Sequence, residues 1–151
     1  MRDGFFFRAE SYFNVATEIE RLDSEPASGP RIIASYGGRS LHDQSHGESF
    51  LALFANRLRG DGLYLVDEPE AALSPTRQLS LLSLIHALVL KGSQFIIATH
   101  SPILMAYPRS RIYLLTEKKV EEVEYTSTEH FNLTRAFVND HQTILRRLLG
   151  E

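Results

Sequence analysis

The chain has no cysteine among its 151 residues, which excludes disulfides, thiolate metal ligands and a cysteine nucleophile, and suits a reducing compartment. It also lacks any uninterrupted run of about 18 apolar residues, so no membrane insertion is expected. The richest stretch, residues 79–90, is broken by Ser80, Ser83 and His86 and predicts a buried helix. No cationic segment followed by an apolar core and a small-residue cleavage site opens the sequence, and the cytoplasm is the expected location. An excess of either charge is missing too. With 16 Lys+Arg against 19 Asp+Glu the net charge is −3, which gives no bulk attraction to nucleic acid and leaves nucleic-acid binding an open but unsupported option. There is no internal repeat and no low-complexity tract.

What is present is an ordinary globular balance, 43% hydrophobic and 23% charged, in a length that suits one domain spanning residues 1–151. Gly4-Phe-Phe-Phe-Arg8 predicts a first strand. A helix capped by Ser11 is expected to run to about Leu22, with Phe13, Ala16, Ile19 and Leu22 on one face. Residues 23–30, with two prolines and a glycine, predict a flexible loop, and Ile32-Ile33-Ala34 a short strand before the Gly37-Gly38 turn. Ser45 and Glu48 have the spacing of a capping box, opening a helix to about Arg59 with Phe50, Leu51, Phe54 and Leu58 facing the core.

Two later segments carry the strongest signal. Gly62-Leu-Tyr-Leu-Val66 runs into Asp67-Glu68-Pro69, and Gln94-Phe-Ile-Ile-Ala-Thr99 runs into His100. Each apolar run suits a buried parallel strand, and each ends abruptly in ionisable groups. Between them, Ser74-Pro75 predicts a capped helix with proline in its first turn, running to Lys91 and stopped by Gly92. Strand, helix, strand is a βαβ unit, so both charged ends are expected side by side at the carboxyl edge of a mainly parallel sheet, where open α/β sheets bind ligands. Residues 111–115 and 120–125 predict a hairpin on the edge of that sheet. Residues 130–139 and 141–149 predict closing helices.

Chemistry assigns provisional roles to these ends. Asp67 can hold Mg²⁺, a cation satisfied by hard oxygens, few carboxylates and retained waters. Glu68 can accept a proton from a water attacking a phosphate, and His100 can orient that water or the phosphoryl group. His42, His86, His130 and His141 are assigned to surface or packing, because no pair has metal-ligand spacing with a supporting residue. Phe5 to Phe7 are assigned to the core, since no basic residues interleave them.

On these residues the chain resembles the second half of an ABC-type P-loop ATPase. Leu65-Val66-Asp67-Glu68-Pro69 and Ala71-Ala72-Leu73-Ser74-Pro75 resemble the Walker B strand and D-loop, and Thr99-His100-Ser101 the switch-histidine strand. Gln44-Ser45-His46-Gly47-Glu48 resembles the signature motif, in the right order and spacing, although His46 replaces its usual first glycine and Ser74 the usual D-loop aspartate. The likeness is greatest to small soluble bacterial ATPases akin to the RecF and chromosome-maintenance groups. It implies a partial P-loop NTPase fold in which ATP and Mg²⁺ are sandwiched between two subunits. It implies Asp67 as metal ligand, Glu68 as catalytic base and His100 as the contact to the γ-phosphate. Ser45, Gly47 and Glu48, with the helix amides behind them, and Ser74 of the D-loop, would face a nucleotide held by the second subunit, either another copy or a partner bearing Walker A. Glu10 falls roughly where the Q-loop belongs.

The motif G-x-x-x-x-G-K-[ST], whose amides and lysine cradle phosphates, does not occur; Gly37-Gly38-Arg39-Ser40 lacks both its spacing and its lysine. The resemblance is therefore to an incomplete ATPase domain, one whose Walker A half is absent. An alternative is a non-hydrolysing module that offers its signature face to another subunit. A third reading, the nucleotide-binding subunit of a transporter, is disfavoured by the short stretch between Glu10 and Ser45.

Overall fold

A computed structural model describes residues 3–25, 31–36, 38 and 46–150. The chain divides into two compact units, residues 1–99 and 100–151.

The first unit is built on three parallel strands, β1 (Asp3–Arg8), β2 (Gly62–Asp67) and β3 (Gln94–Ala98), in the order β1-β2-β3. Their register sets Phe5, Tyr64 and Phe95 in one row, and Phe7, Val66 and Ile97 in the next row on the same face. Side chains alternate across a strand, so these rows share the face turned toward the helices. Helix α1 spans Tyr12–Ser24, α2 His46–Asn56 and α3 Pro75–Val89. Phe50, Leu53 and Phe54 of α2 and Leu81 of α3 are almost wholly buried, as is Tyr64. The Phe54 ring meets those of Phe7 and Phe50 in tilted contacts, at ring separations of 5.6 and 5.2 Å. Burying side chains of this size stabilises the unit by about 1.5–3 kcal/mol each.

The central strand is secured at its start by polar contacts. The Tyr64 hydroxyl donates to the Arg59 carbonyl at 2.6 Å and accepts from the Arg59 amide at 3.0 Å. Ser93 Oγ donates to the same carbonyl at 3.0 Å. This capture explains why α2 stops at Asn56 rather than Arg59: the backbone at 59 is held by Tyr64 of β2 and by Ser93 just before β3, and no longer continues the helical ladder. Gly62 leaves the space that the Tyr64 ring fills.

The βαβ unit forms as expected. Ser74 caps α3 by accepting from the Arg77 amide at 3.4 Å, Pro75 sits in its first turn, and Gly92 follows in the left-handed region at φ 85°. The helix itself ends at Val89 rather than Lys91.

Three expectations change. Residues 32–36 form a 3₁₀ turn, not a strand, because both oxygens of Asp23 accept from the amides of Ile32 and Ile33, at 2.6 and 2.7 Å, and start a helical turn there. The strands bury one face only. Phe6, Leu65 and Ile96, matched in register, stay 66%, 37% and 56% exposed, because the helices packed on the sheet lie on its other face. The predicted hairpin forms as β4 (Ile112–Leu115) and β5 (Val120–Val123), but as a two-stranded sheet of its own. The Ser45 side of the proposed capping box, most of the 23–30 loop and Gly37 lie outside the described residues.

The second unit also holds a short helix α4 (Pro102–Met105) and a long α5 (Glu129–Leu149). At Asp140 the backbone leaves the helical region, at φ −148° and ψ 56°, and α5 kinks there. The kink falls between the two predicted closing helices. Leu133, Val138, Leu148 and Leu149 of α5 are mostly exposed.

Candidate functional site

Asp67 ends β2 in register with Arg8 of β1 and Ala98 of β3. All three lie on the face opposite Tyr64 and Val66, so the carboxylate is carried to the open side of the sheet's carboxyl edge. Its Oδ2 is 3.1 Å from Arg8 Nε, and Arg8 also lies 3.8 Å from Glu10. Asp67 is less solvated than its partner, with side-chain exposures of 29% and 54%.

One residue on, Glu68 adopts the left-handed conformation, φ 46° and ψ 54°. For a side chain with a Cβ this costs about 1–2 kcal/mol. Two backbone bonds hold it there: its amide donates to the Ala98 carbonyl at 2.9 Å, and its carbonyl accepts from the Ala71 amide at 3.1 Å. The first ties the acidic doublet to β3. The second opens the 3₁₀ turn Pro69–Ala72. Strain held by surrounding bonds at a charged strand end is a common property of active sites.

The turn is braced from the neighbouring strand, where Thr99 Oγ1 donates to Glu70 Oε2 at 2.7 Å. It is braced from α2 as well. Gly47 is buried, and a Cβ added to it would lie 2.7 Å from Arg77 Nη1 and 3.0 Å from the Ala72 carbonyl. A side chain at this position would have to displace Arg77 and crowd the Ala72 carbonyl, so glycine suits the close approach of α2 to the turn. Arg77 Nη2 in turn donates to Glu48 Oε1 at 2.8 Å. The first unit thus brings Asp67 and Glu68 together at the end of β2, and joins Gly47 and Glu48 to Ser74 through the Arg77 that Ser74 caps.

A divalent cation suits this donor set: a half-buried carboxylate at a strand end, with further hard oxygens on Glu68 and Glu70 close in sequence. Mg²⁺ needs only one or two protein carboxylates and keeps several waters. Among the described residues no group of three or more His, Asp and Glu forms a complete protein cage for a metal.

His100 belongs to the second unit. Its Nδ1 lies 3.1 Å from Nε2 of His130, with ring centroids 5.3 Å apart. The same unit has a cleft of about 220 Å³ lined by Arg109, Arg111, Glu122 and Tyr125 among others, which contains none of the candidate residues.

Four contacts beside these residues were not expected from the sequence, those of Arg8, Arg77, Thr99 and His130. Arg8 follows an apolar strand as Asp67 does, and that parallel ending was the signal for their pairing. Arg77, Thr99 and His130 gave none, since each contact spans about 30 residues and depends on tertiary placement.

Residues 19–106 match the model of a family described as an AAA domain, putative AbiEii toxin, type IV TA system. That span exceeds half of the chain, and the chain belongs to this family of P-loop nucleotide-binding ATPases. No curated protein and no solved structure matches the chain. No helix among the described residues is long and apolar enough to cross a membrane.

Proposed function

We propose that the chain is the signature- and Walker B-bearing part of an ABC-type ATPase that hydrolyses ATP between two subunits. The observation that carries this reading is the end of β2: a half-buried Asp67 followed by Glu68 in a strained left-handed backbone clamped to β3. Asp67 is the residue that would hold Mg²⁺, and the ion's chemistry is to neutralise charge developing on the phosphates. Glu68 accepts the proton of the attacking water. Its fixed backbone limits where the carboxylate can swing, which is what a base positioned by geometry requires. The resemblance gives His100 the contact to the γ-phosphate, and Ser45, Gly47, Glu48 and Ser74 the face toward the second subunit's nucleotide.

Arg8 has a place in this scheme. Its Nε lies 3.1 Å from Asp67 Oδ2, so Arg8 would share that carboxylate with a bound Mg²⁺ and help to neutralise it.

The test is phosphate release with Mg²⁺ and ATP, using the chain together with a subunit that carries a phosphate loop. Glu68→Gln is expected to lower turnover by about 10²–10⁴-fold, the usual contribution of a general base, while ATP stays bound and the dimer accumulates. Release at the wild-type rate would remove Glu68 as the base.

A second reading rests on the missing G-x-x-x-x-G-K-[ST] motif: a non-hydrolysing module that lends its signature face to a partner. Positioning and charge neutralisation of the phosphates supply most of phosphoryl-transfer catalysis, so the chain alone is expected to hydrolyse little ATP. The two readings part in the mixed assay. If Glu68→Gln has no effect there while Glu48 variants abolish partner activity, the module reading holds.

A further inference from the structure

We infer that His130 is a positioning residue for His100: it donates a hydrogen bond to Nδ1 of His100 and so keeps that ring in the tautomer whose proton is on Nε2. This deepens the ATPase reading and rests on it for the purpose of the ring. The contact itself stands on the geometry of the second unit alone.

A neutral imidazole carries one proton, and when two neutral rings meet nitrogen to nitrogen, one must donate and the other accept. Nδ1 of His100 and Nε2 of His130 are 3.1 Å apart, so with both rings neutral a hydrogen bond between them has only two arrangements. If His100 donated through Nδ1, its Nε2 would carry a lone pair, which repels an anionic oxygen. If His130 donates through Nε2, the proton of His100 sits on Nε2, the form able to donate to a phosphate oxygen. Only the second arrangement serves a γ-phosphate contact. An imidazole oriented through its other nitrogen by a neighbouring side chain is a general device for fixing ring and tautomer together.

Both rings are carried on short, well-tied backbone. Immediately after His100, Ser101 Oγ caps α4 by accepting from the Ile103 and Leu104 amides at 3.2 and 3.3 Å. His130 lies in the first turn of α5, where Thr128 Oγ1 accepts from the Phe131 amide at 3.3 Å and donates to the Tyr125 carbonyl at 2.8 Å. The Tyr125 hydroxyl then donates to the Pro102 carbonyl at 2.9 Å, tying the start of α5 back to the segment that follows His100. Asn132 Nδ2 adds bonds to the Thr126 and Thr128 carbonyls at 2.9 and 3.0 Å. These bonds hold the backbone on either side of both imidazoles, and the two rings meet at the surface of this unit.

Two-bond proton–nitrogen spectra of the ¹⁵N-labelled full chain, at about pH 8 where ordinary histidines are neutral, report which nitrogen of each ring is protonated. In the wild type, His100 is expected to show a protonated Nε2 and an Nδ1 shifted by accepting a hydrogen bond. His130→Gln places an amide N–H close to where Nε2–H was and is expected to keep both signatures. His130→Phe keeps ring bulk, loses the donor, and is expected to lose the Nδ1 shift and populate both tautomers. A proton on Nδ1 of His100 in the wild type overturns the inference, as does a His100 spectrum identical in wild type and His130→Phe. The wild-type spectrum decides even if a variant fails to fold. Turnover of Glu68→Gln is blind to this tautomer, and the spectra are blind to ATP, so either reading can fail alone.

Discussion

The acidic doublet and the imidazole are held by different means. Asp67 and Glu68 are positioned by backbone, through a three-strand ladder and a left-handed link bonded to Ala98 and Ala71. Beneath them lies a core in which Tyr64, Phe50, Phe54, Leu53 and Leu81 are almost fully buried. Among the described residues of the second unit, only Ser101, Leu104 and Thr128 are buried, and His100 is fixed through another side chain. Under the proposed function, a rigid scaffold suits an Asp67 that would hold a cation and a Glu68 that would face a water, and a partner that selects its tautomer suits a His100 that would present one proton. Buried apolar side chains are concentrated in the first unit, and His100 in the second is met by a polar side-chain contact.

The largest effect that would break this contrast is in the first core. Tyr64→Ala is expected to cost about 3–5 kcal/mol, since it opens a cavity and abandons the bonds to Arg59, and urea unfolding followed by amide exchange in β2 and β3 would show it. Tyr64→Phe isolates the polar share, expected at about 1–3 kcal/mol. If Tyr64→Ala left the urea midpoint unchanged, packing would not be what holds the strand ends.

A smaller change has the opposite sign. Glu68→Gly removes the conformational cost at φ 46° and is expected to stabilise the chain by about 1 kcal/mol while lowering turnover with a phosphate-loop subunit by about 10²–10⁴-fold. Paired unfolding and turnover measurements check both halves. A destabilised glycine variant would mean that the Glu68 side chain supports the fold rather than burdening it.

The smallest expected effect belongs to the hairpin. The hydrogen bond from Arg111, at 2.6 Å to Oε2, holds the Glu122 carboxyl below its usual value of 4.5 and raises Arg111. Because the folded carboxyl titrates lower than the unfolded one, its stabilisation is complete above the usual carboxylate range. It is lost as the pH falls from 4.5 through the lowered folded value. Both groups are exposed, so the effect is small. Amide exchange in β4 and β5 should quicken on acidification in the wild type, with a weaker pH dependence in Arg111→Gln.

Several features were legible from residue order because their causes are local. Ser74-Pro75 and Gly92 bracket α3 through capping and backbone preference, and the apolar runs before Asp67 and His100 became β2 and β3. The misreadings share a cause at a distance. Ile32 to Ala34 have strand composition, yet the Asp23 carboxylate, nine or ten residues back, turns their amides into a helical start. The end of α2 was set by a tyrosine on the next strand.

Order along the chain, then, determined the family, the βαβ unit and the placing of an acidic pair and a lone histidine after apolar runs, because periodicity and capping act over a few residues. Tertiary structure alone decided which sheet face is covered, that Arg8 meets Asp67, that Glu68 is strained and that His130 reaches His100. Register and long-range hydrogen bonds set those outcomes, and both depend on which segments meet once the chain has folded.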